Sequence, residues 1–390
     1  MKKDMNTIIK FLSSPSKYLL ITGGAGTGKT TLIKTINCKY DIYDIQICAP
    51  THEACEVLMK KGLKANTLQS FLKMKPVYDS HGNMSFISSF SSDDEMPDLL
   101  IIDECSMVNI EIVKIIHRKL SCKIIYVGDR FQLPPIGEDE SMCFKIKDML
   151  RIKLLEQKRT NILMDIYETF RRGVEHKKVS DEYFTKMDLD DILELIKNGY
   201  KLIAHRNIVV NDYNKMAKEY IYGSEDGYYS GERIRFHDHF NTKNNKYVRG
   251  DEHQIIDVYK GTLKHKWGDF DVYYIKINDE DEYITHIMEH EEDRYKSIAI
   301  DQKKITKRKT RGKSKPIIHM LWDSFYNTSK KLMPPFRSNY AMTAYSAQGK
   351  SYDQGIIMAN DILSTAREAK YKCLYTAVTR FRDDVIILDQ

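Results

Sequence analysis

The sequence has no apolar run of about 18 residues or more, so it offers no candidate transmembrane span, and no cleavable signal pattern points to export. It has no CxxC pair. The seven cysteines (Cys38, Cys48, Cys55, Cys105, Cys122, Cys143 and Cys373) are scattered and odd in number, which argues against a zinc site or a disulfide framework and for a reducing compartment. No repeat with a period of roughly 20–50 residues recurs, so a repeat architecture is not indicated. A strong charge of one sign is also lacking: net charge is +6, compatible with a nucleic-acid partner but not diagnostic. The expectation is a soluble, intracellular protein with no membrane partner. At 390 residues, 42% hydrophobic and 30% charged, it is long enough for two or three domains with sizeable cores.

What the chain does have is an apolar run, Tyr18-Leu19-Leu20-Ile21, followed at once by Gly23-Gly24-Ala25-Gly26-Thr27-Gly28-Lys29-Thr30. This is a strand running into a P-loop, G-x-x-x-x-G-K-[ST], and it implies a bound nucleoside triphosphate. The glycines let backbone N–H groups approach the phosphates, and the helix that starts near Lys29 points its positive end at them. Gly24, Gly26, Thr27, Gly28, Lys29, Thr30 and Thr31 are the candidate nucleotide contacts. Lys29 is placed for the β- and γ-phosphates, and the Thr30 hydroxyl for Mg²⁺. A second apolar run, Leu99-Leu100-Ile101-Ile102, ends in Asp103-Glu104. Carboxylates at a strand end suit a Walker B pair, with Asp103 toward Mg²⁺ and Glu104 toward the attacking water.

Short apolar strands alternate with helical stretches as far as Leu155. Residues 19–22, 45–49, 99–102 and 124–128 each run into a polar loop, the pattern of a parallel sheet with crossover helices. Residues 74–90 interrupt it and read as a β-hairpin around Asp79-Ser80-His81-Gly82-Asn83. A second α/β unit begins near Leu155, with strands at 202–204, 356–358 and 385–388. Between them, residues about 235–335 change character. Segments 254–258, 271–277 and 297–300 read as strands with little helix, hence a small inserted β-barrel. Residues 279–293 are acidic, whereas residues 303–315 hold eight basic residues. The second run reads as solvated loop, phosphate contact or nuclear localisation signal.

Further motifs follow in order: Ala49-Pro50-Thr51-His52-Glu53-Ala54; Thr67-Leu68-Gln69-Ser70-Phe71; Gly128-Asp129-Arg130-Phe131-Gln132-Leu133-Pro134-Pro135; Leu155-Glu156-Gln157-Lys158-Arg159-Thr160; Thr343-Ala344-Tyr345-Ser346-Ala347-Gln348-Gly349-Lys350; and Leu374-Tyr375-Thr376-Ala377-Val378-Thr379-Arg380. With the P-loop and Asp103-Glu104, this set resembles superfamily 1 helicases, and in order, spacing and length the superfamily 1B group of the phage Dda and RecD kind. The resemblance covers most of the chain. It is specific at the motifs and weak in the barrel and at the N-terminus.

The resemblance implies an α/β fold of two RecA-like parallel-sheet P-loop domains, with a β-hairpin insertion in the first and an SH3-like β-barrel insertion in the second. The first domain would be residues 1–154 with the hairpin at about 74–92, the second 155–234 and 336–390, and the barrel 235–335. ATP and Mg²⁺ are the implied cofactors, and single-stranded and forked DNA the implied partners. A single-strand binding protein or other replication proteins would be further partners of a monomeric motor. By position, Gln132 is the γ-phosphate sensor, Arg159 and Arg380 are two arginines aimed at the γ-phosphate, and Gln348 and Gly349 lie on the nucleotide side. Pro50, Thr51, His52, Gln69, Ser70, Thr343, Tyr345 and Ser346 would contact DNA. The hydroxyls of Thr51 and Ser346 have a second reading as helix N-caps. The hairpin takes the place of the strand-separating wedge, with Tyr78, His81 or Phe86 set to stack on the last base pair or to pack across the hairpin. Trp322-Asp323-Ser324-Phe325 resembles a short aromatic helix linking the barrel back.

The chain departs from the family in three places, one being its short length, from which the accessory domains of larger relatives are expected to be missing. No adenine-reading glutamine precedes the P-loop, which leaves the base unspecified, and Tyr345-Ser346 stands where the family has His-Lys. The implied activity is ATP-driven unwinding of DNA, 5′ to 3′, in replication, recombination or repair. An RNA-stimulated enzyme, and a translocase that strips proteins from single strands without unwinding, remain open alternatives. The compartment is the cytoplasm, or the host cell for a viral protein, with the nucleus allowed by the basic run.

Overall fold

The computed structural model of the chain describes residues 2–40, 42–91, 93–156, 163–280, 282–365 and 369–389. Among the described residues, eight strands precede residue 155: β1 (Tyr18–Gly23), β2 (Ile45–Ala49), β3 (Asn66–Thr67), β4 (Met74–Tyr78), β5 (Met84–Ser88), β6 (Leu99–Ile102), β7 (Lys123–Gly128) and β8 (Leu150–Leu154). Six of them form one parallel sheet in the order β3-β2-β6-β7-β1-β8. Their continuous apolar runs are what a sheet covered on both faces requires. Leu19, Ile21, Ile47, Leu99, Ile101, Ile125 and Val127 face Ile8, Phe11, Ile33 and Ile36 of two helices, Lys2–Ser13 and Lys29–Lys39. Leu20, Leu100, Ile102, Ile124 and Tyr126 face Val113 and Ile116 of the helix Ile110–Lys119. Each fully buried Leu or Ile contributes about 1.5–3 kcal/mol, so the alternation along each strand fixes its register. The order sets the carboxyl ends of β6, β7 and β1 side by side, where an open α/β sheet binds its ligand.

A second parallel sheet takes the strands Ala341–Thr343, Lys201–Ala204, Tyr352–Met358, Phe381–Leu388 and Phe184–Thr185 in that order. Its core holds Ile203, Met342, Ile357, Ile387 and, from the helix Ala369–Val378, Leu374, Ala377 and Val378. Both sheets belong to one compact unit, Met1–Met74, Ser88–Val210 and Ala341–Gln390.

The other compact unit is Lys75–Ile87 together with Asn211–Tyr340. It contains two three-stranded antiparallel sheets. Glu252–Gln254, Arg233–Phe236 and Phe336–Ser338 form one, and Asp257–Leu263, Phe270–Lys276 and Ile284–Ile287 the other. Ile234, Phe236, Tyr247, Ile275 and Phe336 share one core. The expectation of strands with little helix fails beyond residue 291. Residues 297–300, read as a strand, lie in an 18-residue helix, Glu292–Lys309, and a second 18-residue helix, Lys315–Leu332, carries Trp322 and Phe325. A four-residue apolar run cannot by itself distinguish a strand from one turn of helix. Here Ile298 and Ala299 pack beside Tyr295 and Leu332, which makes the run the inner stripe of a helix pair.

The hairpin β4–β5 is inserted between strands of the first sheet, yet it packs with the second unit. Tyr78 is sandwiched between His319 and Tyr326, each ring 5.4 Å away. The Tyr326 hydroxyl donates to the Gly82 carbonyl (3.0 Å) and the Thr310 hydroxyl to that of Ser80 (3.2 Å). Gly82 adopts φ +84 and lies flat against Trp322. A Cβ there would come within 2.8 Å of the indole, so no other residue fits without displacing it.

Candidate functional site

The P-loop closes over the end of β1. Gly26 and Gly28 take φ values of 79 and 85, the left-handed conformation that glycine adopts without penalty, and Gly28 caps the helix Lys29–Lys39. Lys29 Nζ donates to the carbonyls of Gly23 and Gly24, both at 2.9 Å, and the buried Thr27 hydroxyl donates to Gly24 (2.9 Å). The loop is thereby held as a cradle. Thr30 follows on the first helical turn, half-buried, and Thr31 is exposed.

Asp103 and Glu104 stand at the end of β6, two strands from the P-loop. Asp103 is buried, and its Oδ1 accepts from the Glu104 N–H at 2.9 Å. Burial first, then the Glu104 carboxylate, pushes the Asp103 pKa from 3.8 up to about 7. Glu104 holds φ 51, ψ 40, a left-handed conformation costly for a residue with a Cβ. Glu104 Oε2 and Gln132 Oε1 are both buried without a hydrogen-bond partner among the described residues. Orphaned buried acceptors cost about 1–3 kcal/mol each. They fit a ligand that brings donors, such as a hydrated cation or an attacking water.

The second sheet supplies side chains to the same place. Gln348 is buried and its Nε2 donates to the Leu133 carbonyl (3.0 Å), while Leu133 N–H donates to the Thr376 hydroxyl (2.9 Å). The Tyr375 hydroxyl donates to Asp129 Oδ2 (2.9 Å) and accepts from the P-loop N–H of Ala25 (3.4 Å). Arg380 is buried. Its guanidinium donates to the carbonyls of Thr376 (3.0 Å) and Lys350 (3.2 Å) and to the Thr379 hydroxyl (3.0 Å). Burial lowers its pKa, and the field of Glu104 is the first influence that raises it back. The P-loop, both strand-end carboxylates, Gln132, Gln348 and Arg380 therefore meet in one region. Arg159 lies outside the described residues.

Sequence reasoning missed Arg171. It lies on the helix Met164–His176 with its guanidinium carbon 4.9 Å from the Phe131 ring centroid. A Cβ on Gly24 would stand 3.5 Å from this guanidinium and 3.5 Å from the Tyr375 hydroxyl. Arg171 Nε is buried and has no hydrogen-bond partner among the described residues. A signal was available: Tyr167, Phe170 and Gly173 form the helix's buried face, and Arg171, four residues after Tyr167, falls on its edge. Arg172 is exposed and pairs with Glu168 at 3.4 Å.

The residues expected to touch nucleic acid cluster at the carboxyl ends of β2, β3 and the strand Ala341–Thr343 and in the helical turns that follow. Thr51 caps the helix His52–Lys60, accepting from Ala54 N–H at 3.2 Å, with Pro50 and His52 half-buried beside it. Gly349 (φ 83) packs against the Thr51 hydroxyl, and Lys350 reaches Glu53 at 3.5 Å. Gln69 and Ser70 are exposed on the short helix Leu68–Phe71. The N-cap reading of Ser346 is overturned: Ser346 lies within the helix Ala344–Ala347, beside Tyr345, and Thr343 is the cap, accepting from Ser346 N–H at 3.2 Å. A threonine before the turn keeps extended φ, ψ, as a cap must. On the hairpin, Tyr78 is taken up by His319 and Tyr326. His81 is exposed in the turn, and Phe86 is 56% exposed, beside Met84 at 54% and Ile87 at 54%.

A family model described as an AAA domain matches residues 6–138. The ATP-dependent DNA helicase Dda of Enterobacteria phage T4 is 28% identical, over 98% of this chain and 97% of its own. An uncharacterised protein of Acanthamoeba polyphaga mimivirus is 24% identical over 96% of both chains. The RecBCD subunit RecD of Buchnera aphidicola is 29% identical over 56% of this chain and 39% of its own. Among solved structures, the Bacteroides Pif1 helicase in complex with ADP-AlF3 and single-stranded DNA matches with a TM-score of 0.54 and 18% identity, over 100% of this chain and 92% of that one. The α/β fold with its parallel-sheet P-loop core is thus that of the Pif1 structures, and homologues of the chain include the Dda, RecD and Pif1 helicases.

Proposed function

We infer that this chain is an ATP-dependent DNA helicase: a motor that hydrolyses ATP, moves along single-stranded DNA 5′ to 3′ and unwinds duplexes. The observation that carries this is the meeting of Lys29, Asp103, Glu104 and Gln132 from one sheet with Gln348 and Arg380 from the other. The two sheets are then two RecA-like domains, and the small antiparallel sheets of the second unit an SH3-like module. Lys29 and the P-loop amides bind the β- and γ-phosphates. Thr30 and Asp103 would hold Mg²⁺, which supplies positive charge to the phosphate oxygens. Glu104 orients the attacking water and takes its proton. Arg380, with Arg159, meets charge developing on the γ-phosphate oxygens. Thr51, His52, Gln69, Ser70, Thr343, Tyr345 and Ser346 bind the DNA backbone without reading bases.

Glu104→Gln keeps the shape of the site and removes the base. Nucleotide binding should persist while turnover falls by roughly 10²-fold or more, the range of a lost general base. Wild-type turnover in this variant would mean that the water is activated elsewhere.

Arg171 stands beside Gly24 with an unused buried N–H, which suits a contact at the γ-phosphate edge of the loop. Arg171→Ala should weaken binding of ATP analogues more than binding of ADP. Lysine, lacking the planar fork, should restore only part of that preference. Equal losses for di- and triphosphate would reduce Arg171 to a packing residue over Phe131.

A further inference from the structure

The basic run, residues 303–315, has a defined place: it is the tip of the helix pair Glu292–Lys309 and Lys315–Leu332. Tyr295, near the start of the first helix, bonds Ser329, near the end of the second, so the two run antiparallel and the tip is the turn between them. Lys303, Lys304, Lys307, Arg308, Lys309, Arg311, Lys313 and Lys315 are all exposed. Lys304 pairs with Asp301 at 2.9 Å; the others have no carboxylate partner among the described residues.

Helix electrostatics explain only part of this. Cations in the last helical turn, Lys307, Arg308 and Lys309, are favoured by the helix dipole. Lys303 and Lys307, and Lys304 and Arg308, are like charges four residues apart and repel. Arg311 and Lys313 lie beyond the helix. Lys315 opens the next helix, whose first turn holds no acid, and there the dipole disfavours a cation. The charge density therefore costs stability and fits an external anion.

The tip is also bound to the strand hairpin. Thr310, buried in the middle of the basic run, donates to the Ser80 carbonyl, while Gly82 and Tyr78 pack on Trp322, His319 and Tyr326 of the second helix. Whatever the hairpin meets, the basic tip meets beside it. We propose that residues 303–315 form a phosphate grip for the duplex at the point where the hairpin divides it. This rests on the helicase reading for the choice of duplex DNA. A duplex carries one charge per about 1.7 Å of axis and is the densest polyanion that a strand-separating hairpin encounters.

The test combines Lys307→Gln, Arg308→Gln, Arg311→Gln, Lys313→Gln and Lys315→Gln, all at exposed positions. Binding to a blunt duplex and to an unstructured single strand is measured by fluorescence anisotropy over a range of salt. The plot of log affinity against log salt for the duplex should become shallower by roughly 3 or more, at about 0.9 per lost phosphate contact. The single-strand slope and single-strand-stimulated hydrolysis should stay at wild type. A variant that interchanges lysine and arginine at the same five positions should retain the duplex slope. An unchanged duplex slope overturns the grip, and so does an equal loss on single strands. A wild-type chain whose hydrolysis ignores single-stranded DNA would instead sink the helicase reading, while its duplex slope still reports on the tip.

Discussion

Arg380→Ala should lower DNA-stimulated ATP hydrolysis by roughly 10³-fold or more, the scale of arginine-finger losses. Arg380 is buried between Thr376, Thr379 and Lys350 and lies in the field of Glu104, so its position is set before any phosphate arrives. Such preorganised donors act without reorganising during the reaction, which is why they are worth most where water is excluded. Alanine also removes the donors that Arg380 gives to the carbonyls of Thr376 and Lys350 and to the Thr379 hydroxyl, which lowers stability as well. Thermal unfolding must therefore be measured alongside. Lysine at 380 keeps a charge but not the planar fork, and should stay well below wild type while remaining folded. Single-strand affinity without nucleotide should change little. Normal hydrolysis in a folded Arg380→Ala variant would make this arginine a structural strut.

Combined Met84→Ser, Phe86→Ser and Ile87→Ser should leave single-strand-stimulated hydrolysis near wild type and reduce duplex unwinding steeply. These three side chains are the exposed apolar part of the hairpin, whereas Tyr78 and Gly82 bind it to the helix pair. Opening a base-pair step takes on the order of 1.4 kcal/mol, and a rigid apolar obstacle converts forward motion into that work. Unwinding should fall about tenfold or more, the scale of a lost base–aromatic contact of roughly 1–3 kcal/mol. Point substitutions serve better here than deleting residues 78–86, because deletion would uncover Trp322. Loss of hydrolysis as well would place the hairpin in the motor. Unchanged unwinding would place the wedge elsewhere.

Strands β1, β2, β6 and β7 were legible because each is an apolar run buried on both faces and ends where a motif begins. The P-loop and Asp103-Glu104 were legible because their chemistry needs those residues at that spacing. The hairpin's turn was legible from Asp79 to Asn83, but its packing was not. Tyr78 and Tyr326 meet across 248 positions of chain, and no local pattern records that contact. The helix Glu292–Lys309 was obscured by its own polarity, since only Tyr295 is fully buried and Ile298 and Ala299 are the brief trace of its inner face. Arg171 was hidden among surface arginines, because its value comes from Gly24 and Phe131, which are remote in sequence.

Whether ATP hydrolysis drives separation of DNA strands is read from strand displacement on a duplex carrying a 5′ single-stranded tail, followed with and without ATP, with Glu104→Gln as the control. ATP-dependent displacement from the 5′-tailed duplex is expected, and none with Glu104→Gln. No displacement by a wild-type chain that does hydrolyse ATP on single-stranded DNA would contradict the helicase reading.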